Sequence, residues 1–113
     1  MKLIVAIVKP FKVTELVDVL RKEPAFPGMT VISGRGFGRR SSEGNRADPG
    51  EVHDFLAHEV VLVAAPADQV ERLAGLITSV AHTGRPGDGK VLIMPIEAAF
   101  AITTGEQGEA ALS

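Results

Sequence analysis

The apolar residues of this 113-residue chain fall into separate stretches whose spacing predicts four strands and two helices. Leu3 to Val8 is continuously apolar and rich in β-branched side chains, which is typical of a strand buried on both faces. A helix is predicted after Pro10, because an apolar stripe at i, i+3, i+4 and i+7 ends before Pro24: Val13, Leu16, Val17 and Leu20.

The same reading predicts three more strands and one more helix. Strands are expected from Met29 to Phe37, from Glu59 to Ala65 and from Val91 to Ile96. The second helix is predicted to begin at Asp68, with Glu71 in the position of a capping box. Its apolar stripe predicts the buried side chains: Val70, Leu73, Ala74, Ile77 and Val80.

The predicted order, β-α-β-β-α-β, is the ferredoxin-like α+β pattern, an antiparallel sheet with both helices on one face. A chain of this length is expected to form one domain, residues 1–113, with a hydrophobic core of its own.

A long polar connection, Arg39 to Asp54, joins the second and third predicted strands. Hairpin loops usually have about 2–5 residues. A polar loop of this length in a small domain is expected to be functional, and to become ordered when a ligand or partner is present.

The segment from Thr83 to Lys90 reads Thr-Gly-Arg-Pro-Gly-Asp-Gly-Lys and predicts an anion-binding loop. Its three glycines allow backbone N–H groups to approach a ligand, and Lys90 adds a positive charge. The segment satisfies G-x-x-x-x-G-K, but Val91 stands where a P-loop has Ser or Thr, and a helix precedes the loop instead of a strand. A tight turn with an exposed lysine is the alternative.

Composition narrows the class of protein. Hydrophobic residues make up 45%, charged residues 23%, and the net charge is −2, which does not favour binding to nucleic acid. The chain has no Cys, so neither a disulfide nor a Cys-based zinc site is expected. The first apolar run is too short for a signal peptide and no run reaches transmembrane length, so a cytoplasmic protein is expected.

In combination, these segments resemble the PII signal-transduction family over essentially the whole chain. Five fragments carry the resemblance in order: Lys9-Pro10-Phe11-Lys12 after the first strand; Gly36-Phe37-Gly38-Arg39 at the base of the family's long T-loop; Asp54-Phe55-Leu56 at its return; Thr83 to Lys90 as the B-loop; and Thr104-Gly105-Glu106-Gln107-Gly108 within the C-loop-like tail, residues 101–113.

The resemblance implies a non-catalytic regulator that forms a homotrimer and binds an adenine nucleotide between subunits. It also implies that residues 39–54 control a protein target, such as a membrane transporter. It assigns Gly84, Gly87, Asp88, Gly89 and Lys90 to the phosphates, with Arg39 and Thr83 nearby. It assigns Ile7, Thr30, Gly36 and Phe37 to the base and ribose.

Departures from the family pattern change the expected ligands. The two arginines that usually precede Thr-Gly-Glu are replaced by Ala101 and Thr103, which favours ADP or AMP over tightly bound ATP. At the 2-oxoglutarate site, His58 stands at the lysine position and Arg40 at the glutamine position, so another small effector is expected, and the need for Mg²⁺ is open. With no Tyr in the chain, tyrosine uridylylation is excluded.

Two classes of function remain at this level. The first is the nucleotide-responsive regulator, and the alternative is a ferredoxin-like trimer that serves metal homeostasis or binds another small ligand, with a vestigial nucleotide site. His53, Asp54 and His58 could suggest a metal site, but their spacing matches no strong ligand motif, and a solvated surface cluster is the prediction. His82 is predicted to complement the dipole at the end of the second helix.

Overall fold

The computed structural model describes residues 1–38 and 55–113. The long polar connection, including Arg39 and Arg40, lies outside the described residues. The elements run in the order β1 (Lys2–Val8), a 3-10 turn (Pro10–Lys12), α1 (Val13–Leu20), β2 (Thr30–Gly36), β3 (Leu56–Ala65), α2 (Ala67–Ala81), β4 (Gly89–Pro95) and a second 3-10 helix (Gly108–Leu112).

The four strands form one antiparallel sheet in the order β2-β3-β1-β4. The continuously apolar strand β1 lies inside the sheet, where Ile4 stands opposite Val63 on one side and Ile93 on the other. This arrangement confirms the ferredoxin-like prediction. It also brings the end of β1 beside the start of β4, which determines where the site forms.

Both helices cover one face of the sheet and build the core there. The buried side chains alternate along β1 and β3, as expected for strands with one covered face, and meet the apolar stripes of the helices. Arg72 on α2 donates two hydrogen bonds to Glu23, at 2.9 and 3.1 Å, and so links α2 to the segment after α1. The fully covered side chains are Ile4, Ala6, Val8, Leu16, Leu20, Val61, Val63, Ala65, Val70, Leu73 and Ile77.

Neither α-helix covers the other face of the sheet, and within the described ranges only the second 3-10 helix reaches it, through Leu112 at the Thr30 end. Leu3, Val5 and Ile7 are therefore only half-buried, and the predicted burial of β1 on both faces is wrong for the single subunit. Val17, at 38% exposure, also departs from the predicted buried stripe of α1. The uncovered surface, here called the open face, is mostly apolar: Leu3, Val5, Ile7, Ile32, Val60, Leu62, Ala64, Leu92 and Met94.

Several predicted boundaries are wrong by one to three residues, and three of these differences have a structural reason. Strand β3 begins at Leu56 because its first residues pair with the end of β2, and β4 begins at Gly89 because Gly89 pairs with Val8. Helix α2 begins directly after Pro66, which acts as the N-cap without a side-chain hydrogen bond, so the predicted capping box does not form. Asp68 lies instead in the first turn, where its charge favours the helix dipole.

Candidate functional site

The glycine loop, residues Thr83–Lys90, leaves the end of α2 and enters β4. Gly84, Gly87 and Gly89 have φ values of +84°, +88° and +98°, a region that other residues rarely occupy. At Gly89 the need for glycine is also steric, because a Cβ there would lie 1.7 Å from the carbonyl oxygen of Ile7. The loop can therefore close against β1 only with glycine at this position.

Asp88 holds the loop together from inside. Its carboxylate accepts hydrogen bonds from the backbone N–H of Thr83 at 2.8 Å and of Gly84 at 2.9 Å, and a further one from the Thr83 hydroxyl. The Thr83 hydroxyl oxygen in turn accepts one from the Arg85 N–H at 3.2 Å. These bonds, those of Thr83 first, hold the pKa of Asp88 well below its usual range, because they favour the charged form.

This hydrogen-bond pattern decides which part of the loop can receive an anion. The N–H groups of Thr83, Gly84 and Arg85 are already engaged within the loop, and Pro86 has none. Donors for a ligand therefore start at Gly87. The Asp88 side chain is turned to its own loop, so what this residue can offer a phosphate is its backbone N–H.

Lys9 lies outside the glycine motif in the sequence, but its side chain contacts Thr83 and Asp88 of the glycine loop. It follows β1, and its Nζ lies 3.0 Å from Asp88 Oδ1 and donates to the Thr83 hydroxyl oxygen at 3.2 Å. The sequence contained one indication of this role, namely a basic residue where the central strand ends before Pro10. The predicted cation, Lys90, is exposed and stands opposite Ile7 on the open face.

His58 also reaches the glycine loop. It lies on the open face opposite Gly34, and its Nε2 is 3.3 Å from the carbonyl oxygen of Gly87. Its ring occupies the space beside Gly36, where a Cβ would meet Nδ1 at 2.9 Å. Within the described residues Nδ1 has no hydrogen-bond partner. The predicted effector residue thus lies against the predicted phosphate loop.

Most of the predicted site therefore converges at one end of the open face: Ile7, Gly36, His58, Thr83, Gly84, Gly87, Asp88, Gly89 and Lys90. Phe37 follows β2 at this end, and its ring lies 5.7 Å from that of Phe55 at 54°. A cleft of about 550 Å³ lies along residues 84–89.

Thr30 does not join this group. It starts β2, six residues from Gly36, which is about 20 Å along a strand. Three strand spacings, about 14 Å, separate its strand from that of Gly89. Thr30 instead lines a second cleft, of about 500 Å³, with Leu3, Pro27, Gly28, Met29, Leu62, Ala64 and Leu112.

Residues 100–107 form a hydrogen-bonded turn, and the two positions where the family usually has arginines, Ala101 and Thr103, lie in it. The Ala101 N–H donates to the Glu106 carbonyl oxygen at 2.8 Å, and the Gly105 N–H donates to the Ala101 carbonyl oxygen at 2.8 Å. Phe100 and Gln107 form an isolated bridge at its base. Ala101 and Thr103 bring no positive charge to this turn.

His82 is the C-cap of α2, at the helix end where it was predicted, and its Nδ1 lies 3.8 Å from Asp88 Oδ2. Across residues 1–38 and 55–113, no group of three or more His, Asp or Glu side chains is arranged to hold a metal ion. Two members of the predicted surface cluster, His53 and Asp54, lie outside those ranges. In the same part of the chain, no helix has the length and apolar character needed to cross a bilayer.

The chain is thus a ferredoxin-like α+β domain with a glycine-rich loop at one end of an apolar open face. The chain belongs to the nitrogen regulatory protein P-II family, whose model matches residues 1–106. Members of this family are signal-transduction regulators. The resemblance seen in the sequence is therefore confirmed.

Individual relatives agree over almost the full length. The chain is 41% identical over 109 residues to the nitrogen regulatory protein P-II of Azospirillum brasilense, covering 96% of each chain. It is also 41% identical to the nitrogen fixation nifHD region GlnB-like protein 1 of Methanothermococcus thermolithotrophicus, covering 96% of this chain and 99% of that protein. The structure of Arabidopsis thaliana PII bound to citrate matches with a TM-score of 0.80 and 29% identity, over 99% of this chain and 89% of that one.

Proposed function

We propose that this protein is a non-catalytic, cytoplasmic regulator that binds an adenine nucleotide between the subunits of a homotrimer. Nucleotide occupancy controls a protein target, a transporter or an enzyme, through residues 39–54. The observation that carries the proposal is the position of Thr30: it lines a cleft at one end of the open face, whereas the other predicted nucleotide residues that the structure describes meet at the glycine-loop end.

Each end supplies what the other lacks. The glycine-loop end has N–H donors from Gly87 onward and the cation of Lys90, which suit phosphates. The Thr30 end has a largely apolar cleft with one hydroxyl, which suits the base. A single subunit cannot bring short side chains from both ends to one nucleotide, whereas a head-to-tail contact between copies joins them. Heterologous contacts of this kind close into rings when the rotation permits.

The open face supports such a ring. Leu92 and Met94 remain 46% and 45% exposed, next to the half-buried apolar residues of β1. A continuous apolar surface such as the open face is rare on monomers and marks an interface. We assign the open face to contacts between copies, in the trimer that the family resemblance implies.

The occupant is ADP or AMP in preference to ATP. Charge-assisted hydrogen bonds from a guanidinium contribute about 1.5–3 kcal/mol each where geometry is favourable. Ala101 and Thr103 provide no such bonds. The terminal phosphate of ATP therefore adds little to the binding free energy at these two positions. The effector at His58 is a small molecule other than tightly held 2-oxoglutarate.

Isothermal titration calorimetry with ATP, ADP and AMP tests the proposal, each nucleotide alone and then with 2-oxoglutarate, bicarbonate or Mg²⁺. We expect ADP or AMP to bind below millimolar concentration and at least as tightly as ATP. A Lys90→Ala variant should lose much of that affinity, whereas Lys22→Ala, which changes an exposed lysine after α1, should not. The proposal is wrong if no nucleotide binds at millimolar concentration, or if native mass spectrometry finds only monomers.

A further inference from the structure

We propose that Lys9 is a positioning residue that neutralises Asp88 beneath the glycine loop, and that this neutralisation sets how strongly the loop holds a phosphate-bearing ligand. The inference rests on the nucleotide site proposed above and names a determinant that lies outside the glycine motif.

The need for such a residue follows from the construction of the loop. The carboxylate that organises the loop is next in sequence to Gly87, where the donors available to a ligand begin. The negative charge of this carboxylate, one residue from those donors, repels an incoming phosphate. The repulsion is strong where solvent is partly excluded. The Asp88 side chain is only 23% exposed. The Asp88 carboxylate is therefore needed to hold the shape of the loop. Its negative charge must be neutralised if the loop is to bind a phosphate.

The position of Lys9 meets this need. Its Nζ lies 3.0 Å from Asp88 Oδ1, and the Lys9 side chain is 19% exposed, so the pair is partly shielded from solvent. The lysine stem runs close to Gly87, since a Cβ at Gly87 would be in ordinary van der Waals contact with Lys9 Cε at 3.8 Å. Thr83 fixes the ammonium group further by accepting a hydrogen bond at 3.2 Å.

His82, the other basic side chain within 4 Å of the Asp88 carboxylate among the described residues, does not duplicate this role. His82 Nδ1 is 3.8 Å from the other carboxylate oxygen, and its side chain is 72% exposed, so water screens it. Lys12, three residues after Lys9, pairs with Glu15 at 3.3 Å and is a matched control on the same turn.

The test is a comparison of ligands that differ in charge. ADP and adenosine share base and ribose, but only ADP presents phosphates to the loop. For Lys9→Met we expect the affinity for ADP to fall about tenfold, as for loss of a charge-assisted pair, and the affinity for adenosine to change less than about twofold. Lys9→Arg should retain most of the ADP affinity, and Lys12→Met should match the wild type.

A double-mutant cycle separates charge neutralisation from direct contact with the ligand. In an Asp88→Asn background the carboxylate charge is gone, so Lys9→Met should lower ADP affinity far less than it does in the wild type. Thermal unfolding of each variant checks that the fold is retained.

The outcomes are distinct. If the wild type binds ADP and Lys9→Met binds it equally well, the inference is wrong and the proposed function stands. An equal loss for ADP and adenosine, or an equal loss with and without Asp88, would also overturn it, because Lys9 would then act on overall structure or on the ligand itself. A wild-type chain that binds no nucleotide would overturn both.

Discussion

Gly89 is where the loop depends most strictly on a single residue type. Replacing it with Ala places a Cβ 1.7 Å from the Ile7 carbonyl oxygen and 2.7 Å from the Ile7 carbonyl carbon. Both neighbours are backbone atoms of a central strand, so they cannot move aside as a flexible side chain would. The φ of +98° adds strain of about 1–2 kcal/mol for a residue with a Cβ. Together the clash and the strain should lower the free energy of unfolding by about 3 kcal/mol or more.

Two other glycines separate these contributions. Gly105 has φ +76° and open space around it, so Gly105→Ala should show the backbone strain alone, about 1–2 kcal/mol. Gly75 lies inside α2 with nothing within 4 Å, and Gly75→Ala should stabilise the protein by about 0.5–1 kcal/mol.

Urea unfolding followed by circular dichroism measures the series, at one fixed protein concentration because an oligomer's stability depends on it. The expected order of stability is Gly75→Ala, wild type, Gly105→Ala, then Gly89→Ala. If Gly89→Ala costs no more than Gly105→Ala, the close contact between β1 and β4 does not constrain the loop and the reasoning is wrong.

Three further predictions concern the site and the open face. Gly36→Ala should displace the His58 ring, since a Cβ would meet Nδ1 at 2.9 Å, and should shift the His58 ring resonances in NMR spectra, whereas Gly34→Ala, with its nearest contact at 3.8 Å, should not. Asp88 has a lowered pKa in the folded state, so its contribution to stability is complete above the unfolded pKa of about 3.9 and is lost as pH falls below that value. Asp88→Asn should remove this part of the acid dependence in unfolding measured from pH 7 to pH 2, and an unchanged profile would contradict the assignment. Leu92→Glu places a charge on the open face and should convert the oligomer to monomers in native mass spectra; an intact oligomer would remove the open face from the interface.

The fold was predictable because its periodic segments are long and agree with one another. The boundaries were less so, since they depend on pairing partners far away in sequence. Leu56 and Ala57 look like a continuation of the preceding loop, and only their pairing with Gly36 and Arg35 makes them part of a strand. Val17 shows a second limit of the sequence. Helical spacing predicts an apolar stripe, but it does not predict how much of the stripe the neighbouring elements will cover.

The glycine loop was predictable from local sequence, whereas the contacts that hold it were not. Lys9 and Thr83 are 74 residues apart and meet only because β1 and β4 are neighbours in the sheet. The role of Asp88 was likewise hidden, since a motif does not tell whether a carboxylate faces the ligand or its own loop. Thr30 was assigned by family resemblance, and a single subunit does not bring it to the loop, which is why the proposed site takes its two ends from two copies.

Mixed oligomers test the central claim, that one nucleotide is held by the glycine loop of one subunit and the Thr30 end of the next. Lys90→Glu reverses the charge at one end, and Thr30→Trp fills the cleft at the other, so each variant alone should fail to bind ADP. Unfolding and refolding them together in equal amounts should restore binding at about a quarter of the sites, because each site in a ring draws its two halves from independently chosen subunits. Native mass spectrometry verifies that mixed trimers form. If mixed trimers form and bind no ADP, each site lies within one subunit and the account is contradicted.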